Sequence, residues 1–260
     1  MQQRTPSPLI LSVETATETR SIALCRGFQP ILVRAGGAER DHSSRVLGEI
    51  DELLRAAGVR LKEVDLFAVA CGPGSFTGLR SGLATVKAFA ATLGRTAAGI
   101  PTLHAVAHAA GPAARVVAAL PAGRGELFVQ FLRVSEDGAM VEELNAPAYL
   151  SPPALLERAA AVGGPLRWAG SGAWKIATEL ESWAARLGVE WSVESDDGPV
   201  VGGARRWSLA APVKAYAGSV AALGRRRYLA GEELGADELH ALYVRPSDAE
   251  IKEQCLVPNE

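Results

Sequence analysis

Aromatic residues are scarce in this chain, at 6% of the sequence, and neither sign of charge dominates. Lys and Arg number 27 against 29 Asp and Glu, a formal net charge of −2. A protein that grips nucleic acid alone usually carries a basic stripe, because it must neutralise several phosphates, so the balance argues against that class. The lack of aromatics argues likewise against a base-stacking platform. Cysteine is limited to Cys25, Cys71 and Cys255, with no CxxC pair. That speaks against a disulfide framework or a zinc knuckle and suits a reducing compartment. No apolar run approaches the roughly 20 residues that span a bilayer. The run Leu9–Val13 is too short for a signal-peptide core and meets Glu14 directly, so a cytoplasmic protein is expected.

What is present is ordinary globular material. At 48% hydrophobic and 22% charged over 260 residues, the chain can bury the core of one large or two small domains. Leu9–Val13 reads as a buried strand, Ser21–Cys25 as its return and Ile31–Arg34 as a third strand, an antiparallel meander. Asp41 or Ser43 offers a helix cap, and Val46, Leu47, Ile50, Leu53 and Leu54 share one face of the helix that follows. Leu66–Cys71 is apolar throughout, as a strand covered on both faces would be. Leu79, Leu83, Val86, Ala90 and Leu93 mark a second helix, and Ala97–Ile100 a short strand. This order occurs in actin-like and sugar-kinase-like domains. Further on, Arg115–Leu120 and Leu127–Val134 read as strands paired around a PAGRGE turn. Helices are expected over Pro153–Val162, Trp174–Leu187 and Val213–Ala230, with strands at Leu166–Gly170 and Val189–Val193. No internal repeat is visible in the residues.

The most informative segment is GPGSFTGLRSG, Gly72–Gly82, which leaves a buried strand and opens a helix. Glycines let backbone approach a ligand closely, and a helix N-terminus attracts anions. Gly72, Gly74, Ser75, Thr77, Gly78 and Arg80 are therefore candidates for anion binding, against the alternative of a tight strand-to-helix connection with no ligand. The segment matches neither the P-loop, nor the dinucleotide fingerprint, nor the nucleophile elbow, because Leu79-Arg80, Thr77 and Pro73 stand where those need other residues.

GPGSFTGLRSGLATVKAFA resembles the glycine loop of the TsaB (YeaZ) family. LILSVETATETRSIAL resembles that family's first hairpin, usually written with Asp where Glu14 stands here. His42-Ser43 and the ending LYVRPSDAEIK are similar to the family as well. The family often has an Asp-Ala-Arg hairpin where this chain has Pro121–Phe128, so no role carries over to that hairpin.

The resemblance implies an α/β, actin-like (ASKHA, ribonuclease H-like) fold of two related subdomains, with mixed sheets flanked by helices. On this chain it suggests an N-terminal subdomain over 1–108, a C-terminal one over 109–212, and a long helix and tail over 213–260 packing back on the first. It implies a part in making N6-threonylcarbamoyladenosine at position 37 of tRNA, without catalysis of its own. The partners implied are the catalytic paralogue TsaD, the small ATPase TsaE, a second copy of the chain, and tRNA only within the complex, with no membrane. ATP and metal would belong to the partner subunits. Leu47, Ile50, Leu54, Leu79, Leu83 and Val86 then become candidates for the partner-binding face, in competition with covering the sheet.

Two other constellations compete with that role. His104 and His108 are spaced i, i+4, as metal ligands on one helical face would be, which raises an autonomous metal-dependent transferase. TsaD carries such a pair at much the same distance after its glycine loop, but two imidazoles alone make no site. Glu14, Thr15 and Thr17 sit where actin-like ATPases hold phosphate, which raises an ATP-binding relative of sugar kinases. The turn lacks the glycine expected there. No nucleophile triad supports a peptidase. Asp196-Asp197, Arg205-Arg206 and Arg225–Arg227 read as solvated surface charge rather than as tRNA contacts.

Overall fold

The computed structural model describes residues 5–36, 45–194 and 206–244. Its first half runs β1 (Leu9–Glu14), β2 (Ser21–Arg26), β3 (Gln29–Ala35), α1 (Val46–Ala56), β4 (Leu66–Gly72), α2 (Phe76–Leu93) and β5 (Thr96–Pro101). The second continues with α3 (Thr102–Ala110), β6 (Ala113–Gly123), β7 (Glu126–Val134), β8 (Val141–Glu143), β9 (Ala148–Leu150), α4 (Pro152–Val162) and β10 (Leu166–Ala169). It ends with α5 (Ser171–Lys175), α6 (Ala177–Leu187), β11 (Glu190–Val193), β12 (Arg206–Leu209) and α7 (Ala217–Ala230).

The strands form two sheets, ordered β3-β2-β1-β4-β5 and β11-β12-β10-β6-β7-β8, with β9 also on β7. In the first, β1 runs antiparallel to β2 and parallel to β4, and β4 parallel to β5. In the second, β6 runs antiparallel to β7 and parallel to β10, and β10 parallel to β12. The order β3-β2-β1-β4-β5 thus returns as β8-β7-β6-β10-β12, the duplicated plan of an actin-like α/β fold. The halves share topology rather than residues, so the sequence shows no repeat.

Alternate residues of the central strands serve opposite layers. Leu9, Leu11 and Val13 of β1, with Phe67 and Val69 of β4, pack against Ile50, Leu53, Leu83 and Val86 of α1 and α2. Ile10, Ala68 and Ala70 face a core shared with Val106 of α3, Val220 and Ala221 of α7, and Val116 and Ala118 of β6. On its other face β6 points Val117 and Ala119 at Leu155 of α4, Leu180 of α6 and Trp168. Helices α3 and α7 therefore lie in one hydrophobic layer between the sheets. Close approach of α7 needs small residues, and a Cβ on Gly224 would stand 2.8 Å from Ala68 Cβ.

Two helical expectations change. The segment Trp174–Leu187 is two helices, because Ile176 at φ −113° breaks the regular path between α5 and α6. Helix α7 starts at Ala217 rather than Val213. Its start is fixed by the sheet: buried Ser21 Oγ accepts from Ala217 N at 3.1 Å, and Ser12 Oγ donates to Ala217 O at 2.8 Å. Helix α3 follows β5 without a connecting loop. No helix among the described residues is long and apolar enough to cross a membrane.

Candidate functional site

Two hairpin ends and two glycine turns meet at a cleft of about 390 Å³. Thr15–Glu18 of the β1–β2 turn and Gly74-Ser75 line one side, and Leu120, Pro121 and Ser171 the other. The two sides are built alike. A Cβ on Gly74 would lie 2.3 Å from Ala16 O, and one on Gly78 1.8 Å from Thr15 O. Across the cleft, a Cβ on Gly170 would lie 2.3 Å from Ala119 O, and one on Gly172 2.8 Å from Leu120 N. In both halves glycines let a strand-to-helix turn press its backbone onto the hairpin strand. The Gly170-Ser171-Gly172 run after a strand was the sequence signal for the second turn.

Three backbone donors of the glycine loop go to the chain itself. Ser75 N donates to Ala16 O at 2.7 Å, Gly72 N to Thr102 Oγ1 at 3.1 Å, and Gly78 N to Ser75 Oγ, the cap of α2, at 3.3 Å. Thr15 Oγ1 donates back to Gly78 O at 2.7 Å. Gly72, at φ +118°, faces Leu242 O, and Leu242 N donates to Cys71 O at 2.6 Å. The loop is thus closed over by residues near Leu242, about 170 positions away in the chain and so invisible to local sequence pattern. Ser75 and Thr77 are exposed. Arg80 lies over the Phe76 ring at 3.8 Å, with Tyr243 beside both, so its charge rests on an aromatic surface. Gly74 and Gly78 are what the tight connection to Thr15 and Ala16 requires.

Glu14 is fully buried at the end of β1, behind the turn that lines the cleft. Its Oε1 accepts from Ala16 N at 2.6 Å and Thr17 N at 2.9 Å, and its Oε2 from Thr17 Oγ1 at 2.7 Å. Burial pushes this carboxyl above its ordinary range, against the pull of those donors. Burial and the neighbouring Glu14 raise the Tyr216 hydroxyl in the same way. At the mouth, Lys175 Nζ meets Glu18 Oε1 at 2.6 Å and joins the two halves.

His104 and His108 do fall on one helix, α3, but they go to different partners. His104 Nε2 lies 2.9 Å from Glu143 Oε1 of β8, and His108 Nδ1 lies 3.0 Å from Ser219 Oγ of α7. Burial pushes both imidazoles below their usual value, with Glu143 opposing it at His104. Among the described residues no three His, Cys, Asp or Glu side chains gather as a metal cluster.

The candidate partner face needs correction. Ile50, Leu54, Leu79, Leu83 and Val86 are buried within the chain, so their side chains are committed to its own core. Only Leu47, 55% exposed, stands clear. The outward face of α2 is instead Phe76, Arg80, Ala84 and Ala88. Two of the α7 arginines are also engaged: Arg225 covers Phe28 at 3.8 Å, and Arg227 donates to Gly99 O at 2.6 Å. The Pro121–Phe128 hairpin turns at Arg124, φ 54°, lines the cleft with Pro121, and buries Leu127 and Phe128. Asp41, His42, Ser43, Asp196, Asp197, Arg205 and the tail beyond Val244 lie outside the described residues.

The model of the family "TsaD: tRNA N6-adenosine threonylcarbamoyltransferase" matches residues 10–171, more than half of the chain. The tRNA threonylcarbamoyladenosine biosynthesis protein TsaB of Escherichia coli is 31% identical over 195 residues, 74% of this chain and 80% of that protein. The protein of the same name from Haemophilus influenzae is 40% identical over 125 residues, 46% of this chain and 51% of its own length. The solved structure of YeaZ from Pseudomonas aeruginosa superposes with a TM-score of 0.69 at 24% identity, over 91% of this chain and 99% of that one, a likeness of fold. With these matches and the duplicated fold, the chain belongs to the TsaB (YeaZ) family.

Proposed function

We propose that this chain serves the formation of N6-threonylcarbamoyladenosine in tRNA as a non-catalytic subunit that binds and organises a TsaD-like catalytic paralogue. The observation that carries the reading is the match to Escherichia coli TsaB across four fifths of that protein. The geometry supports it. The glycines of the loop serve internal packing, and the two histidines of α3 answer to different partners. ATP and metal are assigned to the partner subunits, a TsaE-like ATPase among them, and tRNA is met within the assembly.

The partner face is placed on the outer surfaces of α1 and α2, at Leu47, Phe76, Arg80, Ala84 and Ala88, since the inner surfaces are core. Exposed aromatic and arginine side chains are favoured anchors in protein interfaces, and small residues allow close helix approach. The same face would serve a homodimer. Depleting the protein and measuring the modified nucleoside by mass spectrometry tests the role, and unchanged modification would refute it. Co-purification with the larger paralogue of the same organism tests the organising role separately.

A further inference from the structure

We propose that the β1–β2 turn is an anion seat filled by the chain's own Glu14 side chain, and that the cleft consequently takes no nucleotide phosphate. The proposal does not rest on the role in tRNA modification. It rests on where the donors of the turn go. In an actin-like fold the first hairpin is the place for phosphate, and free N–H groups together with a threonine hydroxyl would hold it there. Here Glu14 Oε1 lies 2.6 Å from Ala16 N and 2.9 Å from Thr17 N, and Oε2 lies 2.7 Å from Thr17 Oγ1. Two successive amides and one hydroxyl thus converge on one carboxyl group, the donor set a phosphate oxygen would use. That carboxyl has no exposed surface, so a ligand reaches the amides only by expelling it.

Around the seat the cleft offers a phosphate hydroxyl groups but, among the described residues, no cation. Ser75 N, on the facing loop, already donates to Ala16 O at 2.7 Å. No lysine or arginine lines the cavity among the described residues, and Glu18 on its wall is acidic. Lys175, the base beside it, is paired with Glu18 at 2.6 Å. The nucleotide that the fold family implies therefore does not fit these residues. The arrangement holds in either protonation state of Glu14, because Oε1 accepts both N–H groups as a carboxylate or as the carbonyl oxygen of the acid.

Thermal melts and calorimetric titrations of the full chain with inorganic phosphate and with magnesium-ATP test this, at matched ionic strength against chloride. The wild type should show no saturable response to either. Glu14→Ala should melt at a lower temperature and recover saturably with formate or phosphate, which refill the vacated seat. Glu14→Gln keeps an acceptor oxygen at the same atom and should respond to neither. Saturable stabilisation of the wild type by phosphate or ATP would overturn the proposal. So would a Glu14→Ala protein that responds to formate and phosphate no more than the wild type does, or one that stays unfolded in both. Saturable ATP binding by folded Glu14→Gln would also overturn it.

Discussion

Gly78 and Gly48 both lie within helices, yet the structure asks different things of them. A Cβ at Gly78 would sit 1.8 Å from Thr15 O, a backbone atom that cannot swing away, whereas nothing lies within 4 Å of one at Gly48. Gly78→Ala should therefore lower the unfolding free energy by about 1–3 kcal/mol, as overpacking does. Gly48→Ala should raise it by about 0.5–1 kcal/mol through helix propensity. Urea denaturation of both variants checks the contrast, and a Gly78→Ala protein as stable as the wild type would contradict it. His108 makes a prediction about pH. Its folded-state affinity for protons is depressed by burial below the ordinary 6.5, so the unfolded chain binds the proton first. Its contribution to stability is complete above that value and falls as pH drops through it, by up to about 1.4 kcal/mol per pH unit. His108→Gln should flatten the decline in urea midpoint between pH 7 and pH 5, and an unchanged slope would argue against this. Glu14 has the opposite sign: its raised value favours the folded state in acid and loses that contribution as pH climbs above 4.5. The glycine loop was legible in the sequence as a special segment. Its purpose was not, because only the folded chain shows that Thr15 and Ala16 lie against it.

Helices α1 and α2 each carry an inner and an outer stripe, and periodicity located the apolar stripe without saying what it meets. Leu47 shares the predicted apolar stripe with Ile50 and Leu54, but it is 55% exposed while Ile50 is 2% exposed. The assignment turns on a rotation of the helix about its axis, which the sheet decides. Leu83→Arg should consequently abolish the folded circular-dichroism signal, since burying an unpaired charge costs several kcal/mol. Leu47→Arg and Ala88→Arg should leave the fold intact and, on the proposed function, weaken co-purification with the TsaD-like partner at least tenfold. A folded Leu83→Arg protein would place α2 differently, and full partner retention by both outer variants would move the interface off this face. The break at Ile176 and the late start of α7 escaped the sequence for a related reason. Both depend on contacts from elsewhere in the chain, such as Ser12 and Ser21 of the first sheet holding Ala217.

At the scale of the molecule, two copies of one plan face each other across a cleft, with α3 and α7 in the layer between the sheets. That shared layer, rather than surface charge, is what holds the halves together. The Glu18–Lys175 bridge at the mouth is 58% and 53% exposed, so water and salt screen it. A double-mutant cycle on the pair should give a coupling below about 1 kcal/mol that shrinks further in salt. A coupling several times larger would make the bridge a true fastener of the cleft. Substitutions in the shared layer should act otherwise. Gly224→Leu forces a side chain against Ala68 and should lower the melting temperature of both halves in a single transition. Two separated transitions would contradict a common core.

The sequence by itself determined the element order of the first half, the glycine loop and the family, because these are written in local periodicity and in a contiguous run of residues. It also determined what the chain lacks: a basic stripe, a cysteine framework and a bilayer-length apolar run. Tertiary structure alone decided that the glycines serve backbone packing, that His104 and His108 part ways, and that the supposed partner residues are mostly core. It alone placed Glu14 over the amides of its own turn. The physical reason is common to all four. A residue type states which bonds a side chain can make, but burial, distance and competition among donors come from segments far away in the chain, and these settle which bonds it does make.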